Sequence, residues 1–184
     1  MENNSEPKHD QNVIVRIANS GDSALILRFI RELAEYERLL DSVVITEEVL
    51  HQWISTGQVE VLIAEYEGEP AGYAFYYSTY STFRGQQGIY LEDLFVRHQF
   101  RRRGIGTRFF YELVEIAKAR NCFRIDWTVL DWNVNSIRFY EKLGAMAVTD
   151  WLPFRLHGAA LENATYHSQS GQVREDVKSS EIKK

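Results

Sequence analysis

Cysteine is almost missing from this chain of 184 residues. Cys122 stands alone, which rules out an internal disulfide and suits a reducing compartment. It reads as a small apolar packing residue. Histidine is sparse as well. His9, His51, His98, His157 and His167 fall at no ligand spacing, so no metal is expected. No apolar run approaches membrane-spanning length, and the polar start Met1–Gln11 has no hydrophobic leader segment. Both absences point to a soluble, cytoplasmic protein. The glycines spell neither of two familiar nucleotide signatures. No Lys follows Gly104 or Gly106, as Gly-x-x-x-x-Gly-Lys-[Ser/Thr] requires, and Gly-x-Gly-x-x-Gly does not occur. Positive charge is in the minority, 21 Lys and Arg against 26 Asp and Glu for a net charge of −5. That balance argues against general nucleic-acid binding and leaves room for a small cationic ligand.

What is present is enough for one core: 45% of the residues are hydrophobic. Residues 1–12 read as a disordered lead, 13–161 as the domain, and 162–184 as a polar tail. Val13–Ile17 reads as a strand. Asp22 or Ser23 caps a helix carrying Leu25, Leu27, Ile30, Leu33 and Ala34. Thr46 caps a second helix that ends at Gly57. Val59–Tyr66 and Ala71–Tyr77 form a hairpin, Ser78–Gly88 a polar loop, and Ile89–Val96 the next strand. A helix over about Gly106–Arg120 follows, with Phe109, Phe110, Leu113, Val114 and Ala117 inward. Then come a strand over Phe123–Val129, a helix capped by Asn133 or Asn135 and stopped at Gly144, and a last strand or hairpin over Met146–Leu161. This order predicts an α+β layered domain with a mixed sheet.

The most informative stretch is Val96–Thr107. A strand runs into a basic turn with glycines at 104 and 106, and the turn opens directly into an apolar-periodic helix. A helix start offers unpaired N–H donors and partial positive charge, and glycine lets anionic oxygens approach the backbone. Arg97, Arg101, Arg102 and Arg103 add charge suited to phosphate. The physical reading is a cradle for a di- or polyphosphate. Upstream, Glu92 and Asp93 sit inside the apolar strand. Strict alternation would place them on opposite faces of the sheet, whereas a bulge would bring both toward one cleft.

The pattern Arg101-x-x-Gly104-x-Gly106 resembles the [Arg/Gln]-x-x-Gly-x-[Gly/Ala] signature of the GNAT acetyltransferases. Tyr90–Val96, Val129–Asn133 and Ser136–Ala145 agree with it in order and spacing. With Glu32–Glu37, the match is similar to the spermidine/spermine and thialysine acetyltransferase branch, and it covers about residues 13–160. The Val-Leu-Asp-Trp-Asn run is closer to the thialysine side. The resemblance implies a GNAT fold, with a mostly antiparallel mixed sheet and helices on both faces. It implies acetyl-CoA as co-substrate, no metal, a small amine acceptor and a homodimer.

The resemblance also distributes roles. Arg101, Arg102, Arg103, Gly104, Ile105, Gly106 and Thr107 would hold the coenzyme diphosphate. Backbone amides of Leu94, Phe95 and Val96 would meet the pantetheine arm and acetyl oxygen, and Asn133 and Ser136 would make further coenzyme contacts. Glu92 would take the amine's proton, and Tyr140 would protonate the departing sulfur. Tyr36, Glu37, Asp93, Asp126, Trp127 and Thr128 would line the acceptor site. Where the family often carries Glu-Gly-Trp, this chain has Thr149-Asp150-Trp151. Whether Asp150 replaces that carboxylate is open. The competing reading is a coenzyme A-binding sensor or scaffold without turnover. The simultaneous presence of Glu92, Asp93 and Tyr140 favours the enzyme.

Overall fold

The computed structural model describes residues 12–164. Most of the expected lead and tail lies outside these residues. The elements are β1 (Val13–Ile17), α1 (Ser23–Glu37), α2 (Glu47–Ser55), β2 (Glu60–Tyr66), β3 (Glu69–Ser81), β4 (Gln86–Val96), α3 (Ile105–Ala119), β5 (Ile125–Asp126), α4 (Val134–Lys142) and α5 (Ala159–Glu162). The chain divides into two compact units, Met1–Asn133 and Val134–Lys184.

The first unit holds a five-stranded sheet in the order β1-β2-β3-β4-β5. The first four strands pair antiparallel, and β5 joins β4 in parallel. Side-chain alternation sorts the residues of β2 and β3 between two layers. Val61, Ile63, Tyr73 and Phe75 face α1 and α2, where they meet Ile26, Phe29 and Leu50. Phe29 stacks on Tyr73 with ring centroids 5.5 Å apart. On the opposite face, α3 packs against β4, β1 and β2, with Phe109 and Leu113 fully buried. Each such side chain contributes roughly 1.5–3 kcal/mol by leaving water.

Local chemistry explains the ends of the helices. Thr46 accepts a hydrogen bond from the Val49 amide at the start of α2. Arg38 takes the left-handed conformation that stops α1, and its amide bonds back to carbonyls of that helix. Gly144, at φ 86°, closes α4, with the Ala145 amide on the Tyr140 carbonyl.

Several expectations need correction. The expected apolar residues of α1, Leu25, Leu27, Ile30 and Leu33, pack partly buried against the core, but the stripe is centred on Ile26 and Phe29, both fully buried, which that reading omitted. A run apolar on adjacent positions leaves the phase of its stripe open, and the flat ring of Phe29 sets it by matching Tyr73. The hairpin is longer than its composition implies. Ser78–Ser81 pair with Gln86–Ile89, so the polar loop shrinks to residues 82–85. Polar side chains are tolerated in a ladder whose faces meet solvent at the hairpin tip. The strand expected over Phe123–Val129 is reduced to Ile125–Asp126, because parallel pairing with β4 covers only Ile89 and Tyr90 before the strands separate. Among the described residues no strand spans Met146–Leu161, which instead holds the short helix α5. Pro153 lacks a ladder donor there, and Gly158 turns the chain at φ 55°.

Candidate active site

The β3–β4 register places the carboxylates. Leu91 pairs with Tyr76, and Asp93 pairs with the preceding Phe75, so Glu92 is an extra residue opposite no partner of its own. This bulge resolves the ambiguity left by alternation. Without it, Asp93 would share the α3 side with Leu91; with it, Asp93 joins Phe75 and Tyr73 on the α1/α2 side. Two tyrosines four residues apart on β3 then meet the two acids in succession. The Tyr73 hydroxyl donates to Asp93 Oδ2 at 2.7 Å, and the Tyr77 hydroxyl donates to Glu92 Oε2 at 3.4 Å.

The electrostatics follow from this crowding. Burial is the main cause that pushes the Asp93 carboxyl up to about 6. The Tyr73 hydroxyl pulls it down, and the nearby charges of Glu92 and Glu37 push it further up. Burial also raises Glu37, which ends α1. Tyr73 is pushed well above the ordinary phenol range, first by burial and then by Asp93. It remains a neutral donor. Glu37, Glu92 and Asp93 thus form one negative cluster, and among the described residues no cation contributes to the shift of Asp93 or Glu37.

Tyr36, near the end of α1, lies under the Arg101 guanidinium at 4.8 Å from its ring centroid. Its hydroxyl donates to Asn133 Oδ1 at 3.5 Å, and Trp132 tilts against its ring. Arg101 also donates through Nε to the Val96 carbonyl at 2.9 Å. These contacts tie the helix end, the strand end and the loop after β5 together. Arg103 donates to the Tyr66 hydroxyl at 2.7 Å and covers that ring. Arg102 and Gly104 both adopt positive φ, at 64° and 79°. Gly104 is the N-cap of α3 and supplies no side-chain bond to it. The Arg108 amide bonds to the Gly104 carbonyl at 2.9 Å. In an α-helix the preceding amides, here Ile105, Gly106 and Thr107, have no intrahelical partner.

The remaining expected site residues have definite surroundings. Asp126 is paired to Arg124 at 2.5 Å, Trp127 packs edge-on to Phe110 of α3, and Thr128 Oγ1 accepts from the Tyr90 hydroxyl at 3.5 Å. Leu94 and Val96 are half-buried and Phe95 is buried, on the part of β4 that extends beyond its last β5 pair. Ser136 and Tyr140 lie on α4, where the Phe139 and Tyr140 rings stand 5.3 Å apart.

Arg97 does not join the cradle. Its guanidinium makes a bidentate pair with Glu32, bonds the Pro70 carbonyl at 2.7 Å, and covers Phe29. It fastens α1 to the sheet. Arg97→Ala is expected to lower stability by about 1–3 kcal/mol, since the lost hydrogen bonds involve charge. A melting temperature unchanged within a degree would refute this role. Sequence reading also passed over Tyr73 and Tyr77. Their signal is positional: two tyrosines four apart in the strand that must pair with Glu92-Asp93.

The fold and this arrangement define the class. The acetyltransferase (GNAT) family model matches residues 27–145, and the chain belongs to that family as an amine N-acetyltransferase. It is similar to the thialysine N-epsilon-acetyltransferase of Bos taurus, at 41% identity over 162 residues, covering 81% of this chain and 95% of that protein. The Caenorhabditis elegans thialysine N-epsilon-acetyltransferase is 40% identical over 139 residues, covering 74% and 86%. Among solved structures, an integron cassette protein from the mobile metagenome of V. cholerae superposes with a TM-score of 0.70 at 25% identity, covering 83% of this chain and 96% of that one.

Proposed function

We propose that this chain moves the acetyl group of acetyl-CoA directly to the primary amine of a small cationic acceptor, either a thialysine- or lysine-like amino acid or a polyamine such as spermidine. The bulge at Glu92 carries the proposal. It gathers Glu92 and Asp93 on one face beside Glu37, on the same strand that leads into the α3 turn.

An amine with a pKa of roughly 10.4 is neutral in about one molecule in 2,500 at pH 7, a cost of about 4.6 kcal/mol. A carboxylate cluster meets that need by binding the ammonium first and then accepting its proton. In this reading Glu92 takes the proton, because it is the exposed member and can pass it to water. Asp93, held by Tyr73, fixes the cation, with Glu37 and Tyr36 closing the acceptor side. Trp127 and Thr128 continue the lining, and Asp126 enters as a pair already neutralised by Arg124.

The start of α3 fits a diphosphate. Gly104 supplies the left-handed turn, and the amides of Ile105, Gly106 and Thr107 supply donors beside Arg102 and Arg103. Arg101 positions the turn through Val96 and Tyr36. Acetyl-CoA, when bound, supplies the thioester carbonyl that accepts the amine nitrogen and the sulfur that leaves. Of the backbone donors of Leu94, Phe95 and Val96, those of Leu94 and Val96 point to the edge of β4 away from β3 and would stabilise the developing oxyanion, while the Phe95 amide faces β3. By the family resemblance, Asn133 and Ser136 would contact the coenzyme, and Tyr140 would give a proton to the departing thiolate. The balance is one N–C bond formed, one C–S bond broken, and two protons leaving nitrogen: the ammonium proton goes out through Glu92, and a second, lost after attack, restores the proton that Tyr140 gives to sulfur. A homodimer belongs to the same proposal.

The test is incubation with acetyl-CoA and a panel of spermidine, thialysine, lysine and short diamines, reading release of free thiol. Tight coenzyme binding without turnover on any of them would replace the enzyme by a coenzyme sensor. Tyr140→Phe is expected to lower kcat by about a hundredfold, the scale of a lost general acid. Unchanged turnover would remove its role.

A further inference from the structure

Beside Glu92 the α1/α2 face of the sheet opens into a cavity of about 320 Å³, lined by Trp53, Gln58, Val59, Phe75, Tyr77 and Glu92. None of its walls except Glu92 belongs to the acceptor site described above. Three of the six are aromatic, one is aliphatic, one is a neutral amide, and the single charge is Glu92. The walls are built in. The Gln58 amide donates to the Trp53 carbonyl at 3.0 Å after the chain reverses at Gly57, φ 69°. This reversal folds the end of α2 onto the entry to β2. Trp53 and Val59 pack on the core cluster that contains Phe75, and Phe75 is the cross-strand partner of Asp93. Tyr77 lends its ring to the cavity and its hydroxyl to Glu92.

An ammonium held at Glu92 and Asp93 would therefore have an apolar compartment next to it, with no second carboxylate inside. A second cation there would lose water without gaining a counter-charge, which is costly. A ring or branched alkyl group would gain the burial of its apolar surface. The size sits at the low end for small-molecule pockets, about 300–1,000 Å³. We infer that Trp53, Val59, Phe75 and Tyr77 form a subsite for the apolar arm of the acceptor, so that the protein takes arylalkylamines and branched alkylamines as acceptors. The inference rests on the proposed acetyl transfer for its catalytic consequence, while occupancy of the subsite requires no turnover.

The experiment compares 2-phenylethylamine, ethylamine and 1,8-diaminooctane in the full-length protein with coenzyme A present. Binding is measured by calorimetry, and kcat/KM with acetyl-CoA. In the wild type, 2-phenylethylamine is expected to bind at least tenfold more tightly than ethylamine, with the same preference in kcat/KM. Val59→Phe, which fills the cavity, is expected to reduce the binding ratio at least fivefold, and Trp53→Leu, which enlarges it, to reduce it in the same direction. A wild-type binding ratio within twofold of unity overturns the subsite, as does a ratio that neither substitution moves. Stronger binding of the diamine than of 2-phenylethylamine that Val59→Phe abolishes overturns it too, because the second ammonium then occupies the compartment rather than pairing with Glu37. Binding preference without turnover on any amine supports the subsite and defeats the acetyl-transfer reading instead.

Discussion

Asp93→Asn is expected to lower kcat/KM for a cationic acceptor by a hundred- to a thousandfold. The substitution keeps the shape, and Tyr73 can still donate to the amide oxygen, but the half-buried negative charge is gone. Removing one partner from a desolvated charge pair typically costs about 2–5 kcal/mol, and each decade of rate is about 1.4 kcal/mol. The same carboxyl sets the pH response. With its carboxyl pushed up to about 6 by burial, Asp93 carries a proton below that pH and a charge above it. Acceptor kcat/KM should therefore rise as pH increases through about 6 and then level. Stability moves the opposite way. Between the ordinary carboxylate range and 6, the folded state binds a proton that the unfolded state has released. The contribution is complete at low pH and is lost as pH rises through 6. Tyr73→Phe removes the hydroxyl that holds the carboxyl down, so the acidic limb of kcat/KM should move to higher pH. A limb that stays in place in this variant would show that another group controls it.

Gly72→Ala should be the most damaging single-methyl change in the sheet. A Cβ at Gly72 would lie 2.2 Å from the Phe95 carbonyl oxygen and 3.1 Å from Val96 Cα. Both neighbours are backbone, so no side chain can swing aside. The β3 and β4 strands must separate where the Arg97 amide also bonds the Ala71 carbonyl at 2.9 Å. Overpacking of this kind costs about 1–3 kcal/mol and occasionally more. For a chain of this size, the upper end corresponds to a fall in melting temperature of about 6–12 °C. The expected result is that fall, together with weakened coenzyme binding, because Val96 leads directly into the α3 turn. A melting temperature lowered by less than 2 °C would mean that the strands accommodate the methyl easily.

The elements with strong local signals were legible in the sequence. The capping threonine at 46, the glycine stops at 57 and 144, and the strand–turn–helix around Gly104 each announce themselves by residue type. The resemblance to the acetyltransferases rested on the turn at Gly104 and the run through Gly144, together with Glu32–Glu37, Tyr90–Val96 and Val129–Asn133. What the sequence left open was decided by pairing. Whether Glu92 and Asp93 share a face depends on one extra residue in β4 relative to β3, and no property of either side chain encodes that offset. Arg97 looked like part of a phosphate cradle because charge clusters are counted along the chain. Glu32, its partner, lies 65 positions away on α1. Asp126 shows the reverse: its partner Arg124 is two positions off, yet strand alternation alone did not flag the pair. Tyr73 and Tyr77 read as ordinary strand aromatics until the opposite strand was in place.

The extra residue at position 92 splits β4 into two lengths that are out of phase with each other. Leu91 anchors the earlier length in the layer under α3, and Phe95 anchors the later one in the layer under α1. Straightening the strand would put both anchors on one face, so one of them would have to leave its layer, and packing on each side locks the kink in place. Evolution or design can retune which amines are welcomed by editing the surrounding rings and the end of α2. The tilt of the two acids themselves is inherited from the scaffold and can be changed only by rebuilding it.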